Sequence, residues 1–145
     1  MSDFFERIFL LKQTPMFSEV NTDDLRWVAN ELQELVCFAG ERVFHMHDPS
    51  DRAYIIERGL VGISLSPDPA EKAFIARLGP RECFGEMGIF DDQPRSATAH
   101  VIEDATLLSL EKAKFRALVT RYPELGLGVL RSLSLRLREA NLRLR

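Results

Sequence analysis

The segment FGEMGIFDDQPRSATA, residues 84–99, places a carboxylate and a guanidinium on one short stretch of chain. The planar fork of Arg95 is always charged and can bind two phosphate oxygens at once. Glu86 would repel a phosphate, but an ionised carboxylate accepts hydrogen bonds well from a hydroxyl, such as that of a ribose. The pair therefore predicts a pocket for a sugar phosphate.

The residues around this pair suit the same chemistry. Gly85 lets the backbone approach a ligand with no side chain in the way, and the apolar Met87 after Glu86 is typical of one helical turn packed on a core. The first amides of such a turn have no partner within it and favour an anionic oxygen. Ser96 adds a hydroxyl beside Arg95. An internal ion pair between Glu86 and Arg95, which binds nothing, is the alternative interpretation.

This segment resembles the phosphate-binding cassette of cyclic nucleotide-binding domains. The pattern of that cassette is F-G-E, a few apolar or small residues, a short variable loop, and P-R followed by small residues. The Gly-Ile-Phe run after Met87 is similar to the catabolite activator branch of the family. The resemblance extends from about Leu10 to the C-terminus, and the further matching positions are Gly40, Glu41, Asp48, the YIIERG run 54–59, Val61, Leu78 and Gly79.

The resemblance implies a mainly β fold with flanking helices. A jelly-roll β-barrel would cover about residues 34–111, with N-terminal helices in 2–32 and C-terminal helices in 111–145, all within one domain, 1–145. The residue pattern agrees with this fold, because short β-rich runs separated by turn signals continue from residue 35 to residue 78, and ATAHVIE and TLLSLE follow the cassette. Helical spacing is found at both ends of the chain.

The resemblance also implies how the phosphate binds. A cyclic nucleotide would be the regulatory ligand, with no further cofactor. Its phosphate would contact the backbone amides of Glu86 and Met87 together with Arg95 and Ser96. The carboxylate of Glu86 would accept a hydrogen bond from the ribose 2′-hydroxyl.

The base and the signal follow from the same resemblance. Ile63 and Ile75 would form the apolar wall for the base, and Asn141 on the last helix would reach the base edge. The activator branch has Ser with cAMP at the position of Ser96, which favours cAMP over cGMP. Ligand binding would then move the C-terminal helix.

Two positions depart from the family pattern. His47 and Arg81 stand where the family usually has glycine, and both positions are turns. A residue with a side chain must take another turn geometry there or accept backbone strain. The departures concern the shape of loops and not the contacts to the ligand.

Composition and charge narrow the class of protein. An apolar content of 46% and a charged content of 28% are ordinary for a globular domain of 145 residues. The net charge of −3 argues against direct binding of nucleic acid. Cys37 and Cys83 form no CxxC pair, so we expect buried free thiols in a reducing cytoplasm. No segment is apolar for long enough to predict a membrane span.

The last helix has a narrow apolar seam, in which leucines and one alanine repeat at intervals of three and four. Its residues are Leu130, Leu133, Leu137, Ala140 and Leu144. The seam predicts a homodimer through this helix, and packing on the chain's own barrel is the alternative. Activator-branch relatives continue into a helix-turn-helix that reads DNA, whereas this chain stops at Arg145. We therefore expect an unknown protein partner or a further domain to receive the signal.

Two other function classes stay open at this point. One is a ligand-free interaction module with the same barrel. The other is a metal-dependent cupin enzyme, in which His45 and His47 would share a face of a strand at i and i+2. At the position a few residues after His47 where such a site would have its carboxylate, the sequence has only Asp51, and His100 lacks a second metal motif around it. No nucleophile-and-base pattern appears, so we expect neither enzymatic activity nor a metal site.

Overall fold

The structure, a computed structural model of the chain, describes residues 3–65 and 74–143. Single 3₁₀ turns lie at Pro15–Phe17 and Glu86–Ile89. In chain order, the helices and strands are α1 (Phe4–Gln13), α2 (Thr22–Glu31), β1 (Gln33–Cys37), β2 (Arg42–Phe44), β3 (Arg52–Ser64), β4 (Phe74–Leu78), β5 (Cys83–Phe84), β6 (Thr98–Glu111), α3 (Lys112–Arg121) and α4 (Pro123–Arg143). The chain divides into two compact units: a β unit, Gln33–Ala113, and a helical unit made of the residues up to Leu32 and from Lys114 onward.

The β unit is an antiparallel sheet with the strand order β1-β6-β3-β4, in which β2 also pairs with β6 and β5 also pairs with β3. Strands β3 and β6 run side by side from the Arg52–Glu111 pair to the Ser64–Thr98 pair. Within the described part of the chain, β1 and β4 do not pair, so hydrogen bonds do not close the sheet. The predicted class, an antiparallel β fold with helices before and after it, is confirmed.

The sequence predicts two short strands, AYIIE and LVGISL, separated by the turn signal Arg58-Gly59, whereas the structure has one continuous strand, β3. The register between β3 and β6 shifts at Arg58 and Leu60, which marks a bulge and not a strand end. Gly59 has a φ of +105°, and a Cβ there would lie 2.5 Å from the carbonyl oxygen of Asp104. Arg58-Gly59 therefore forms a bend within one long strand and does not end it.

The inner face of the sheet forms an apolar core. Alternate residues of β3 and β6 point to this face, since side chains alternate along a strand. The buried members are Cys37, Tyr54, Ile56, Val61, Phe84, Ala99, Val101, Ala105 and Leu107. Val43, Phe44, Ile63 and Leu78 pack against them and are partly buried. Three of these residues, Phe44, Ile63 and Leu78, also line the cavity beside the cassette.

The helical unit has defined helix ends and its own core. The side chain of Asp3 accepts a hydrogen bond from the amide of Glu6, and the side chain of Asn21 accepts one from the amide of Asp24, so each caps its helix. The fully buried side chains include Leu11, Phe17, Leu25, Val28, Leu125 and Val129. Among the helices described here, none is long and apolar enough to cross a lipid bilayer.

Candidate ligand-binding site

The turn that opens the cassette depends on two close backbone approaches. Gly85 has a φ of +72°, a conformation that glycine adopts without strain, and it precedes the 3₁₀ turn Glu86–Ile89. A Cβ on Gly85 would lie 2.6 Å from Nη1 of Arg95. Gly88 lies against Ser50, because a Cβ on Gly88 would lie 2.2 Å from Cβ of that serine. The glycines therefore bring the turn into contact with the arginine and with the loop before β3.

Arg95 is held at this turn by backbone oxygens and an aromatic ring. Nη1 donates to the carbonyl oxygen of Gly85 at 3.1 Å, and Nη2 donates to that of Arg52 at 2.8 Å. The guanidinium carbon lies 4.0 Å from the ring centre of Phe44, a cation–π contact. Nη2 is also 3.8 Å from the carboxylate of Asp51. Four groups therefore fix the orientation of one cation.

The guanidinium carries a buried charge with one donor unused. The residue is only 4% exposed, and its Nε has no hydrogen-bond partner within the described residues. Burial lowers the pKa of Arg95, and the nearby Tyr54 and Asp51 oppose this shift. The group nevertheless stays charged, because the ordinary pKa of arginine is so high. A buried cation with a free donor fits an anionic ligand.

A cavity of about 400 Å³ opens beside Arg95. Its volume is in the range of small-molecule sites. One end is polar, with Arg95, Ser96 and Glu86, and another part of the wall is apolar, with Ile63 and Leu78. The remaining lining residues are Phe44, Ser50, Cys83, Phe84, Gly85, Met87, Gly88, Asp91, Gln93, Pro94 and Ala97.

The structure brings most of the predicted site residues together. All of the predicted phosphate and ribose residues line this one cavity, and so does Ile63. The predicted phosphate and ribose residues are Gly85, Glu86, Met87, Arg95 and Ser96. Cys83 also lines the cavity and is half-buried, in contrast to the fully buried thiol that we expected, whereas Cys37 is buried.

Ile75 is the exception, and its predicted place in the wall is wrong. Its side chain is 64% exposed and does not line the cavity. The reason is the alternation of β4, whose other face carries Ala76 and Leu78, paired with Ile63 and Val61 of β3. Leu78 therefore takes the place expected for Ile75. The role of Asn141 stays a prediction, since this residue lies on α4 in the helical unit.

Two groups of residues that support Arg95 are not apparent from the sequence. Phe44, Tyr54 and Phe84 form an aromatic cluster, in which the rings of Tyr54 and Phe84 stack with centres 5.2 Å apart. The carbonyl oxygen of Arg52 and the carboxylate of Asp51 complete the surroundings of the guanidinium. The only signal for these residues is the alternation of aromatics on neighbouring strands, which does not indicate which ring meets the cation.

The structure contradicts the alternative interpretations of these residues, an internal ion pair and a pair of histidines on one strand face. Among the described residues, the ion partner of Arg95 is Asp51 and not Glu86, so the internal Glu86–Arg95 ion pair is absent. His45 and His47 lie in a turn after β2, where the amide of His45 donates to the Asp48 carboxylate at 2.9 Å. The premise of a shared strand face is therefore wrong. In residues 3–65 and 74–143, no three His, Cys, Asp or Glu side chains cluster as metal ligands.

The two non-glycine turn residues accept backbone strain. His47 has a φ of 78° and Arg81 a φ of 74°, so both adopt the left-handed conformation that favours glycine. The His47 turn pairs with the cassette, because the amide of His47 donates to the carbonyl oxygen of Arg95 at 2.9 Å and the amide of Arg95 donates to that of Asp48 at 2.7 Å. The strained turn thus fixes the backbone of the site arginine.

This fold and site define a class of ligand-binding β unit, and comparison with known proteins identifies the family. Residues 36–122, more than half of the chain, match the cyclic nucleotide-binding domain. The chain therefore belongs to the cyclic nucleotide-binding domain family, as its cassette indicated.

Relatives with known names support this assignment. The chain is 31% identical over 134 residues to the cyclic AMP receptor protein of Thermus thermophilus, a match that covers 92% of this chain and 62% of that protein. It is 30% identical over 132 residues to the CRP-like cAMP-activated global transcriptional regulator of Mycobacterium tuberculosis, covering 91% and 59%. The chain thus spans about three fifths of the length of these curated relatives.

A solved structure has the same fold. It is the crystal structure of the N-terminal domain of a transcriptional regulator from Streptomyces coelicolor A3(2), with a TM-score of 0.79 and 30% sequence identity. The match covers 91% of this chain and 94% of that one.

Proposed function

We propose that this chain is a regulatory domain that binds a cyclic nucleotide, cAMP in preference to cGMP, in the cavity beside Arg95. The observation that carries the proposal is the buried Arg95 guanidinium, held by two backbone carbonyls with Nε unused, at the wall of a cavity of about 400 Å³. A cyclic phosphate would neutralise this cation and supply the missing acceptor. Glu86 in the same cavity would accept the ribose hydroxyl.

The preference for cAMP is supported by the relatives. The Thermus and Mycobacterium proteins are both named for cyclic AMP, one as its receptor and the other as a regulator that it activates. Ser96 lines the cavity and is the residue of the activator branch. A regulatory role and not a catalytic one is supported by the family itself, which is described as a binding domain. The proposed ligand is the only small molecule that the mechanism needs.

Binding is tested by thermal unfolding of the full chain with cAMP, with cGMP and with linear 5′-AMP. Ligand at a hundred times its dissociation constant adds about 2.7 kcal/mol of stability, which raises the unfolding midpoint by on the order of 10 °C. We expect the largest rise with cAMP, a smaller one with cGMP and none with 5′-AMP at equal concentration. Equal midpoints with and without all three nucleotides would contradict the proposal.

We also propose that ligand binding moves the C-terminal helices. Trp27, the one tryptophan of the chain, stacks on Tyr122 with ring centres 4.9 Å apart and planes 5° apart. Tyr122 lies at the junction of α3 and α4. Motion at this junction would change the Trp27 fluorescence on addition of cAMP, and Tyr122→Leu would abolish most of the change. Constant emission at saturating cAMP would oppose the helix movement and leave binding itself intact.

The exposed leucines of α4 support the proposal of a homodimer. Leu130 is 62% and Leu137 63% exposed, Leu133 is partly exposed, and the seam residue Leu144 lies outside the described residues. We propose that a second copy buries this seam. Sedimentation of wild type should give a dimer, which Leu137→Glu converts to a monomer. Leu142→Glu is the matched control, because Leu142 is 66% exposed on another side of the same helix. A monomeric wild type would contradict the dimer.

A further inference from the structure

Lys112, the first residue of α3, reaches the variable loop of the cassette. Its Nζ donates to the backbone carbonyl oxygen of Asp91 and, at 2.9 Å, to the carboxylate of Asp92. The side chain of Lys112 is 17% exposed, whereas that of Asp92 is 84% exposed. The bond to the carbonyl is therefore the better protected of the two, and it fixes the backbone of the loop.

The backbone of Lys112 makes a second connection to the site. Its amide donates to the carbonyl oxygen of Asp51 at 2.8 Å. The carboxylate of Asp51 in turn lies 3.8 Å from Nη2 of Arg95. One residue thus holds the backbone on two sides of the guanidinium: the loop at 91–92, which leads into Arg95, and the turn at 51, which supplies its counter-ion.

The loop that Lys112 holds is part of the cavity. Asp91 and Gln93 line it, and Pro94 connects them to Arg95. Within the loop, the amide of Gln93 donates to the Asp91 side chain at 3.0 Å. The lysine ammonium adds support to this wall from outside the loop.

We infer that Lys112 is a positioning residue for the nucleotide: it keeps the cassette loop in the shape that receives the phosphate. This inference rests on the proposed function of the cavity. The ammonium contacts no ligand itself; it acts through the Asp91 carbonyl and, through its backbone, on the Asp51 turn. A substitution at Lys112 that alters the shape of the loop should therefore alter ligand affinity.

The first test measures cAMP affinity by calorimetry in Lys112→Met, with Lys114→Met as the matched control. Lys114 is on the same helix and pairs with Glu31 at 3.5 Å, so its replacement removes the same charge without touching the cassette. We expect the dissociation constant to rise about tenfold in Lys112→Met and less than about twofold in Lys114→Met. Lys112→Arg, which keeps the charge and the reach, should restore most of the affinity. Equal affinities of the two methionine variants would overturn the inference.

The second test needs no nucleotide and separates the inference from the proposed function. Hydrogen exchange of the backbone amides of residues 90–93 in the ligand-free chain should be about tenfold faster in Lys112→Met and unchanged in Lys114→Met. Unchanged exchange in both variants would overturn the role of Lys112, whatever binds in the cavity. Faster exchange in a chain that binds no cyclic nucleotide would support the loop contact and refute the function.

Discussion

At one end of the cavity, Arg95 donates to two backbone carbonyls and stacks on Phe44, whereas the apolar wall offers only the side chains of Ile63 and Leu78. The charged end is fixed by several directional contacts to one group. The position of the wall residues depends only on the alternation of side chains along the strands. If one apolar side chain is lost there, its apolar neighbours can partly replace its contacts. A single substitution should therefore reduce ligand affinity strongly at the charged end and only slightly at the wall.

The largest effect is expected for Arg95→Ala. Hydrogen bonds to a charged group contribute about 1.5 to 3 kcal/mol, so cAMP affinity should fall by roughly tenfold to a hundredfold. Calorimetric titration measures this loss, with Arg77→Ala as the control, because Arg77 is an exposed arginine of β4 outside the cavity. Arg95→Lys keeps the charge but lacks the planar fork of the guanidinium. Its cAMP affinity should therefore lie between those of Arg95→Ala and Arg77→Ala. An unchanged affinity in Arg95→Ala would remove the basis of the comparison.

The second-largest effect is expected for a substitution of Gly85, which would cause both backbone strain and a steric clash with Arg95. Gly85→Ala strains a backbone with a φ of +72° and places a Cβ 2.6 Å from Nη1 of Arg95. Gly40→Ala is the matched control, because Gly40 has a φ of +94° and no atom within 4 Å of a Cβ there. Each variant should lose about 1 to 2 kcal/mol of stability from the backbone conformation.

Only Gly85→Ala should also lose ligand affinity, since only its methyl group displaces the guanidinium. Chemical denaturation and nucleotide titration of both variants separate the two costs. If Gly40→Ala lost as much affinity as Gly85→Ala, the contact between Gly85 and Arg95 would have no bearing on binding.

A smaller effect is expected at the apolar wall. Ile63→Ala removes apolar surface that would contact the base, which should weaken cAMP binding by about 1 kcal/mol, or about fivefold. Ile75→Ala should leave affinity unchanged, because Ile75 is 64% exposed and outside the cavity. A larger loss in Ile63→Ala than in Arg95→Ala would reverse the order of the two ends.

The charged end could be predicted from sequence, and the wall only in part. Gly85, Glu86, Arg95 and Ser96 stand close together on the chain, so their residue types alone suggest a shared site. The wall residues come from different strands, and an error of one position in β4 exchanges the two faces of the sheet. Ile75, which the resemblance placed in the wall, lies on the opposite face of β4 from Leu78, and it is Leu78 that lines the cavity.

The residues that support Arg95 could not be predicted from local sequence patterns. The antiparallel fold and the helices were predictable from residue spacing and turn signals. Gly59 was an exception, because its sequence pattern is typical of a strand end, whereas the structure has a bulge within one strand. Asp51 and the carbonyl of Arg52 meet Arg95 across more than forty positions of chain. Such contacts depend on the pairing of distant strands, which single residues do not specify.

The smallest effect is expected at the two strained turns, of which the His47 turn pairs with the backbone of Arg95 and the Arg81 turn with that of Ile56. His47→Gly and Arg81→Gly each relieve a left-handed residue, worth about 1 to 2 kcal/mol, against an entropy cost of glycine of about 0.4 to 1 kcal/mol. Each should therefore gain about 0.5 to 1 kcal/mol in denaturant unfolding. His45→Gly, in the same turn but without a positive φ, should lose stability. Since the bonds of the His47 turn to Arg95 are backbone bonds, glycine preserves them and affinity should stay the same. A loss of stability in both glycine variants would mean that the side chains of His47 and Arg81 contribute more than their backbone strain costs.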